Sequence, residues 1–243
     1  MAINFNRTLR FLSSHAVPSV CFSTYYIGKS YLWLNRSLWG AELNPYRVIW
    51  VDPKSISIKF SPLIAKNHRN YCHVIDGDWD LKIKSFNGHW LYKMLHQRFV
   101  ENKPWTDIQE FKDVLEGRIN WSQNKSVDNI WRRAKYLDLL FNSMQENGYL
   151  SPANCLVGKP GLAKEIRPSQ IKIRVDREGK FSLETGRHRL ALALILDFKY
   201  IPVQPIIRHT QWQQKRIQIR EKGLSNCSTE ELHHPDLNYL LYD

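Results

Sequence analysis

Residues 181–207 read FSLETGRHRLALALILDFKYIPVQPII, and the fold turns on how they are read. Phe181 and Leu183 alternate as in a strand, which runs into Thr185-Gly186. Three basic residues follow at once, Arg187, His188 and Arg189, and the unbroken apolar run from Leu190 to Leu196 predicts a helix. A turn at Asp197-Phe198-Lys199 then leads to a second strand from Tyr200. The first backbone N–H groups of a helix have no partner within it, and the helix dipole favours negative charge beside them. Glycine lets a phosphate approach the backbone, and arginine grips one with a planar fork. On these residues alone the stretch reads equally as an anion cradle or as a solvated, basic helix start.

Upstream, Ile171, Ile173 and Val175 alternate with Lys172, Arg174 and Asp176, predicting a half-buried strand. The turn around Gly179 sends it back into Phe181 as a hairpin. Residues 89–147 carry helical spacing: Leu91, Leu95 and Phe99, then Ile108, Phe111 and Leu115 after Pro104, then Ile130, Ala134, Leu137, Phe141 and Met144. The last helix is expected to stop at Asn147-Gly148. Trp90, Trp105, Trp121 and Trp131 are expected to pack between these helices. Further upstream, Val48 to Val51 predict a strand ending at Asp52-Pro53. Residues 20–27 are a further strand candidate, and 31–39 (YLWLNRSLW) an aromatic segment that packs on the main body or else lies on a partner or membrane surface.

Two motifs were tested and fail. Gly28-Lys29-Ser30 resembles the end of a phosphate-binding P-loop, but the glycine required five residues earlier is Ser23. Asp76, Asp78 and Asp80 alternate as in a calcium loop, but Leu81 and Asn87 stand where that loop needs glycine and glutamate. A turn around Gly77 held by the aspartates is the expected role, with a divalent-ion site as the alternative. No metal ligand set is assigned.

The net charge of +12 over 243 residues implies anionic company: nucleic acid, nucleotides or an anionic surface. The cysteines at 21, 72, 155 and 227 form no CxxC pair, which argues against a disulfide scaffold and for a cytoplasmic setting. No apolar run approaches the ~20 residues that span a bilayer. Residues 208–220 form a basic, glutamine-rich segment expected to be helical, and a tail follows.

Three blocks, in order, resemble the N-terminal domain of ParB-type partition proteins and the wider ParB/sulfiredoxin superfamily. They are VIWVDPKSI, LDLLFNSMQENGYLSP with its ENG turn, and VDREGKFSLETGRHRLALALILDFKYIPVQPI with its G-x-x-R helix start. The resemblance implies an α+β fold: a small mixed sheet flanked by helices, spanning residues 46–220, with a helical insertion at about 82–135. Residues 1–45 are then an N-terminal extension and 221–243 a C-terminal tail. It also implies nucleotide phosphates at Gly186, Arg187, His188 and Arg189, with ATP or CTP and Mg²⁺ as the ligand. Reductases of the superfamily carry a catalytic cysteine where this chain has Arg187, which sets that chemistry aside. Too little chain follows for the DNA-reading domain of partition proteins, so a stand-alone ParB-like protein is expected.

The functional expectation is a nucleotide-binding protein acting as a phosphotransferase or NTPase. Glu184 and Asp52 are the candidate catalytic bases and His188 a candidate acid/base; the plain alternatives are a surface charge, a turn former and a structural histidine. The competing expectation is a DNA-binding or nuclease-type ParB-like protein without small-molecule catalysis. Arg208, Lys215, Arg216 and Arg220 would then lie along a phosphate backbone, unless they form a solvated basic face.

Overall fold

The computed structural model describes residues 47–59, 73–149 and 171–240, apart from 82, 85, 87, 122–125, 224–225 and 238–239. The strand expected at 20–27, the aromatic segment at 31–39 and the loop after residue 150 lie outside the described residues. The elements run β1 (Ile49–Val51), β2 (Ile56–Lys59), β3 (His73–Ile75), β4 (Ile83–Lys84), α1 (Trp90–Phe99), α2 (Gln109–Leu115), α3 (Val127–Asn147), β5 (Ile171–Val175), β6 (Phe181–Thr185), α4 (Arg187–Ile195), β7 (Ile201–His209), α5 (Thr210–Lys222) and α6 (Thr229–His233). The chain is α+β: the strands form one mixed sheet in the order β1-β7-β5-β6-β2-β4, and β3 also pairs with β7.

β7 is the hub of the sheet. β5 runs parallel along one edge, and the other edge takes β1 antiparallel at Ile201 to Val203 and β3 parallel at Ile207 to His209. A central strand with Pro202 and Pro205 is unusual, because proline donates no ladder hydrogen bond. Two features accommodate Pro205. It lies in the gap between the β1 and β3 pairings, and on the β5 side the register skips a residue directly after it, Ile173 facing Pro205 and Arg174 facing Ile207.

The expected hairpin forms, with Val175 opposite Phe181 and Ile173 opposite Leu183. β5, however, is buried on both faces. Arg174 and Asp176 are as inaccessible as their apolar neighbours, so the alternation that suggests a half-solvated strand marks two covered faces. Arg174, which stands opposite Ser182, is neutralised by Glu184 two residues further along the neighbouring strand and lies 5.9 Å from the Trp79 ring. α4 has Leu190 to Ala193 fully enclosed, as expected for a helix apolar on all sides. It packs on α1 and α3, and Leu91, Met94 and Leu95 of α1 share one core with β5 and α4. The helices read as an insertion are therefore part of the central core. α3 ends as expected, at Gly148 with φ 70°. Of the four tryptophans, Trp105 and Trp121 are buried, Trp90 is half-buried, and Trp131 is exposed with an edge on Phe111.

Two acidic turns lock the sheet. The Asp80 carboxylate accepts from the Arg177 backbone N–H at 3.1 Å and from its guanidinium at 2.8 and 2.6 Å, and Asp78 accepts from the same guanidinium at 2.9 Å. His209 donates from Nε2 to the Gly77 carbonyl, while its Nδ1 accepts from Gln211 N–H and caps α5. This is the aspartate-held turn, with a guanidinium where the calcium-loop alternative would place an ion.

The second turn lies in residues 221–243, the segment read as a tail, and part of it packs into the core. Asp236 is fully buried and accepts from Arg208 Nε (2.9 Å), Arg208 Nη2 (2.5 Å) and Trp212 Nε1 (2.9 Å), with Arg216 Nε 3.4 Å away. Burial alone would raise its pKa; the charges of Arg208 and Arg216 and the hydrogen bonds outweigh this and hold it at about 2. His234 packs tilted against Trp212, 4.6 Å between ring centres, and donates from Nε2 to the Gly179 carbonyl, clamping the hairpin turn. Gly179 itself has φ +88°, and a Cβ there would sit 2.5 Å from the Trp212 ring.

Gly179→Ala should therefore lower stability by roughly 2–4 kcal/mol, combining left-handed strain with overpacking, read as a drop in the urea midpoint. Asp236→Ala removes the carboxylate on which two buried guanidiniums converge and should cost about 3–5 kcal/mol; an unchanged midpoint would show that this segment does not hold the sheet.

Candidate functional site: a guanidinium pair at the start of α4

The stretch that opened the sequence reading forms the described site. Gly186 caps α4 with φ 98° and ψ 22° and offers no side-chain acceptor to the first turn. Its Cβ, were there one, would meet Ile171 Cα and Cγ1 at 3.0 Å, so close packing against β5 requires glycine here whatever the ligand.

The cations after it have distinct surroundings. Arg189 is buried, and its guanidinium lies 5.9 Å from the Tyr149 ring; this brings the residue after the ENG turn against the G-x-x-R helix. Arg187 is half-buried and donates from Nη2 to the Trp121 carbonyl at 3.4 Å. The same carbonyl accepts from Arg133 Nη1 at 3.0 Å, so two guanidiniums from different helices converge on one oxygen. Burial lowers the pKa of Arg187, and the neighbouring Arg133 lowers it further; burial likewise lowers that of Arg133. Among the described residues no carboxylate forms an ion pair with either.

His188 lines a cleft of about 540 Å³ with Asn129, Arg132, Arg133, Tyr136 and Leu139 of α3. Its Nε2 accepts from the Trp121 indole N–H at 2.9 Å. Burial first, and then Arg133, Arg187 and His89, push its pKa down to about 3, so the imidazole is neutral. His89, whose Nδ1 caps α1 by accepting from Leu91 N–H at 3.2 Å, has its pKa lowered by burial and by Arg187. The whole region is thus cationic, partly dehydrated and without an acidic counterpart among the described residues.

The two carboxylates expected as bases do not reach this place. The Glu184 side chain is buried and closed on Arg174. Asp52 is exposed and caps the short turn Pro53–Ser55, accepting from Lys54 N–H at 2.8 Å. Lys54 pairs with Asp197 beyond the C-terminal end of α4, and Val51 pairs with Ile201. That places Asp52 toward the end of the helix remote from Gly186, and a helix of this length spans about 13 Å.

The basic face expected for nucleic acid is also divided. Arg208 and Arg216 are not on the surface: both turn inward to Asp236 and are fully buried. Lys215 and Arg220 are exposed on α5. Arg133, Trp121 and His89, which complete the site, were not singled out as site residues from sequence. Arg133 carries only the weak signal of a basic run on a helix, and Trp121 reads as core.

No family model, curated protein or solved structure matches the chain. Among the described residues no helix is long and apolar enough to cross a membrane.

Glu184→Ala strands Arg174 in the core and should destabilise the fold by about 3–5 kcal/mol, measured by urea unfolding. A variant of unaltered stability would return Glu184 to the list of candidate bases.

Proposed function

We propose that the chain binds a nucleotide, ATP or CTP with Mg²⁺, by its phosphates at the first turn of α4, as the resemblance to ParB-like proteins implies. The observation that carries this reading is the Arg133–Arg187 pair on the Trp121 carbonyl. Two like charges are held together, half-buried, with no described carboxylate to neutralise them. Holding such a pair is unfavourable until an anion arrives, and a phosphate with several acceptor oxygens satisfies both forks at once. The uncapped N–H groups after Gly186 add donors of the same sense. The adjoining cleft, with Tyr136, Leu137 and Leu139 beside its arginines, has room for the nucleoside.

The proposal is for binding first. A phosphotransferase or NTPase activity needs a base or a positioned nucleophile, and Glu184 and Asp52 are engaged elsewhere. Sequence-independent binding to DNA is the weaker reading, because two of its four arginines and lysines lie in the core.

Thermal shift tests the reading. A nucleotide at about 100 times its dissociation constant adds about 2.7 kcal/mol, and each kcal/mol moves the midpoint by about 2–4 °C in a chain of this size. ATP or CTP with Mg²⁺ should therefore raise the melting temperature, and Arg187→Ala or Arg133→Ala should remove the rise. DNA binding with steep salt dependence, no nucleotide shift and no sensitivity to Arg187→Ala would overturn it. Nucleotide hydrolysis is read in the same samples.

A further inference from the structure

We infer that the Trp121 indole fixes His188 as its neutral Nδ1–H tautomer, presenting an uncharged hydrogen-bond donor to the ligand of the α3–α4 cleft. Only the identity of that ligand rests on the nucleotide reading; the tautomer rests on geometry.

An indole N–H can only donate. At 2.9 Å from Trp121 Nε1, His188 Nε2 must be the acceptor, so in the neutral ring the proton sits on Nδ1. Nδ1 has no hydrogen-bond partner among the described residues, and it is not among the buried polar atoms left without one. Since His188 lines the cleft, Nδ1–H is the polar atom the ring has left to offer there.

The indole is itself immobilised. Trp121 is buried, edge-on to Trp90 (6.4 Å) and Phe111 (6.2 Å), with the Arg133 guanidinium 5.6 Å from its ring. Its carbonyl holds Arg133 and Arg187 while its side chain holds His188, so one residue orients three donors. The charged groups that act on His188 are Arg133 from α3, Arg187 from α4 itself and His89 ahead of α1, and Arg132, Lys135 and Tyr136 of α3 line the same cleft. Arg133, Arg187 and His89 each oppose protonation of the ring.

The consequence for binding is specific. A histidine that titrates near neutrality makes anion affinity rise steeply as pH falls, through added charge. Here the pKa is held down to about 3, so near neutral pH the ring contributes direction without charge. The folded state resists a proton that the unfolded chain accepts near pH 6.5. The His188 contribution to stability is therefore complete above that pH and declines as pH falls toward 3. Trp121 is a positioning residue in this scheme, acting through His188.

The test is nuclear magnetic resonance of the ¹⁵N-labelled protein, with long-range ¹H–¹⁵N correlations assigning each ring nitrogen. The expected result is a pyrrole-type Nδ1 and a pyridine-type Nε2 for His188, unchanged between pH 8 and pH 5. In Trp121→Phe the burial and the neighbouring cations remain, so the ring should stay neutral at both pH values but lose its single tautomer, the two ring-nitrogen shifts moving toward each other. CTP and ATP affinities should fall several-fold in the same variant. A purely structural role for Trp121 would weaken binding and leave the single tautomer intact. A wild-type His188 protonated on Nε2, or titrating near 6.5, overturns the inference, and that measurement needs no variant to fold. If the tautomer is as expected but neither nucleotide binds the wild type, the inference stands and the nucleotide reading falls.

Discussion

A single carboxylate, Asp236, holds the described structure together. It sits at the meeting point of Arg208 from the central strand, Arg216 and Trp212 from the helix that follows, and the turn that clamps the β5–β6 hairpin through His234. Its backbone serves as well: its N–H donates to His234 Nδ1 and its carbonyl accepts from Arg216. A charge this deep persists because each oxygen is matched by donors. The same burial makes the network unforgiving, since removing one member leaves the others charged and dry. The Asp80–Arg177 bridge repeats the device at the hairpin's other flank, so the site-bearing strand β6 is braced from both ends of the chain.

This bracing bears on the site. The Gly186 turn lies against Ile171 with no room for a side chain, and β5 is pinned to β6 by Arg174 and Glu184. The first turn of α4 is consequently held in place by the sheet, while Trp121 supplies the opposing wall from the helical layer. Cations that would repel one another in a flexible loop are kept close by a rigid frame. That is the condition under which a binding site is formed before its ligand arrives.

Local signals carried the sequence reading as far as they reached. The β5–β6 hairpin, α4 and the stop of α3 at Gly148 follow from alternation, an apolar run and a glycine, all within a few residues of one another. What escaped was long-range. Arg208 and Arg216 look like surface cations in a chain of such positive charge, and only Asp236, in the segment taken for a tail, explains why they are inside. The aspartate between Pro235 and Leu237 was the available hint, an acidic residue amid apolar ones. Glu184, expected as a base, is closed on Arg174 of the neighbouring strand, an ion pair that neither residue's place in its own strand announces. Arg133 and Trp121 reach α4 from elements distant in the chain, and neither spacing nor periodicity marks that meeting.

The place of β7 in the sheet has a consequence for the order in which this protein acquires its shape. β1 and β3 find their only described strand partner in β7, although both precede it by most of the described chain. On the ribosome they emerge early and must wait for residues 201–209, whereas the β5–β6 hairpin can close as soon as it appears. Late closure by a distant strand is the hallmark of slow, high-contact-order assembly. During that wait Ile49 and Val51, later buried, stand uncovered on the nascent chain, apolar surface that the finished sheet hides.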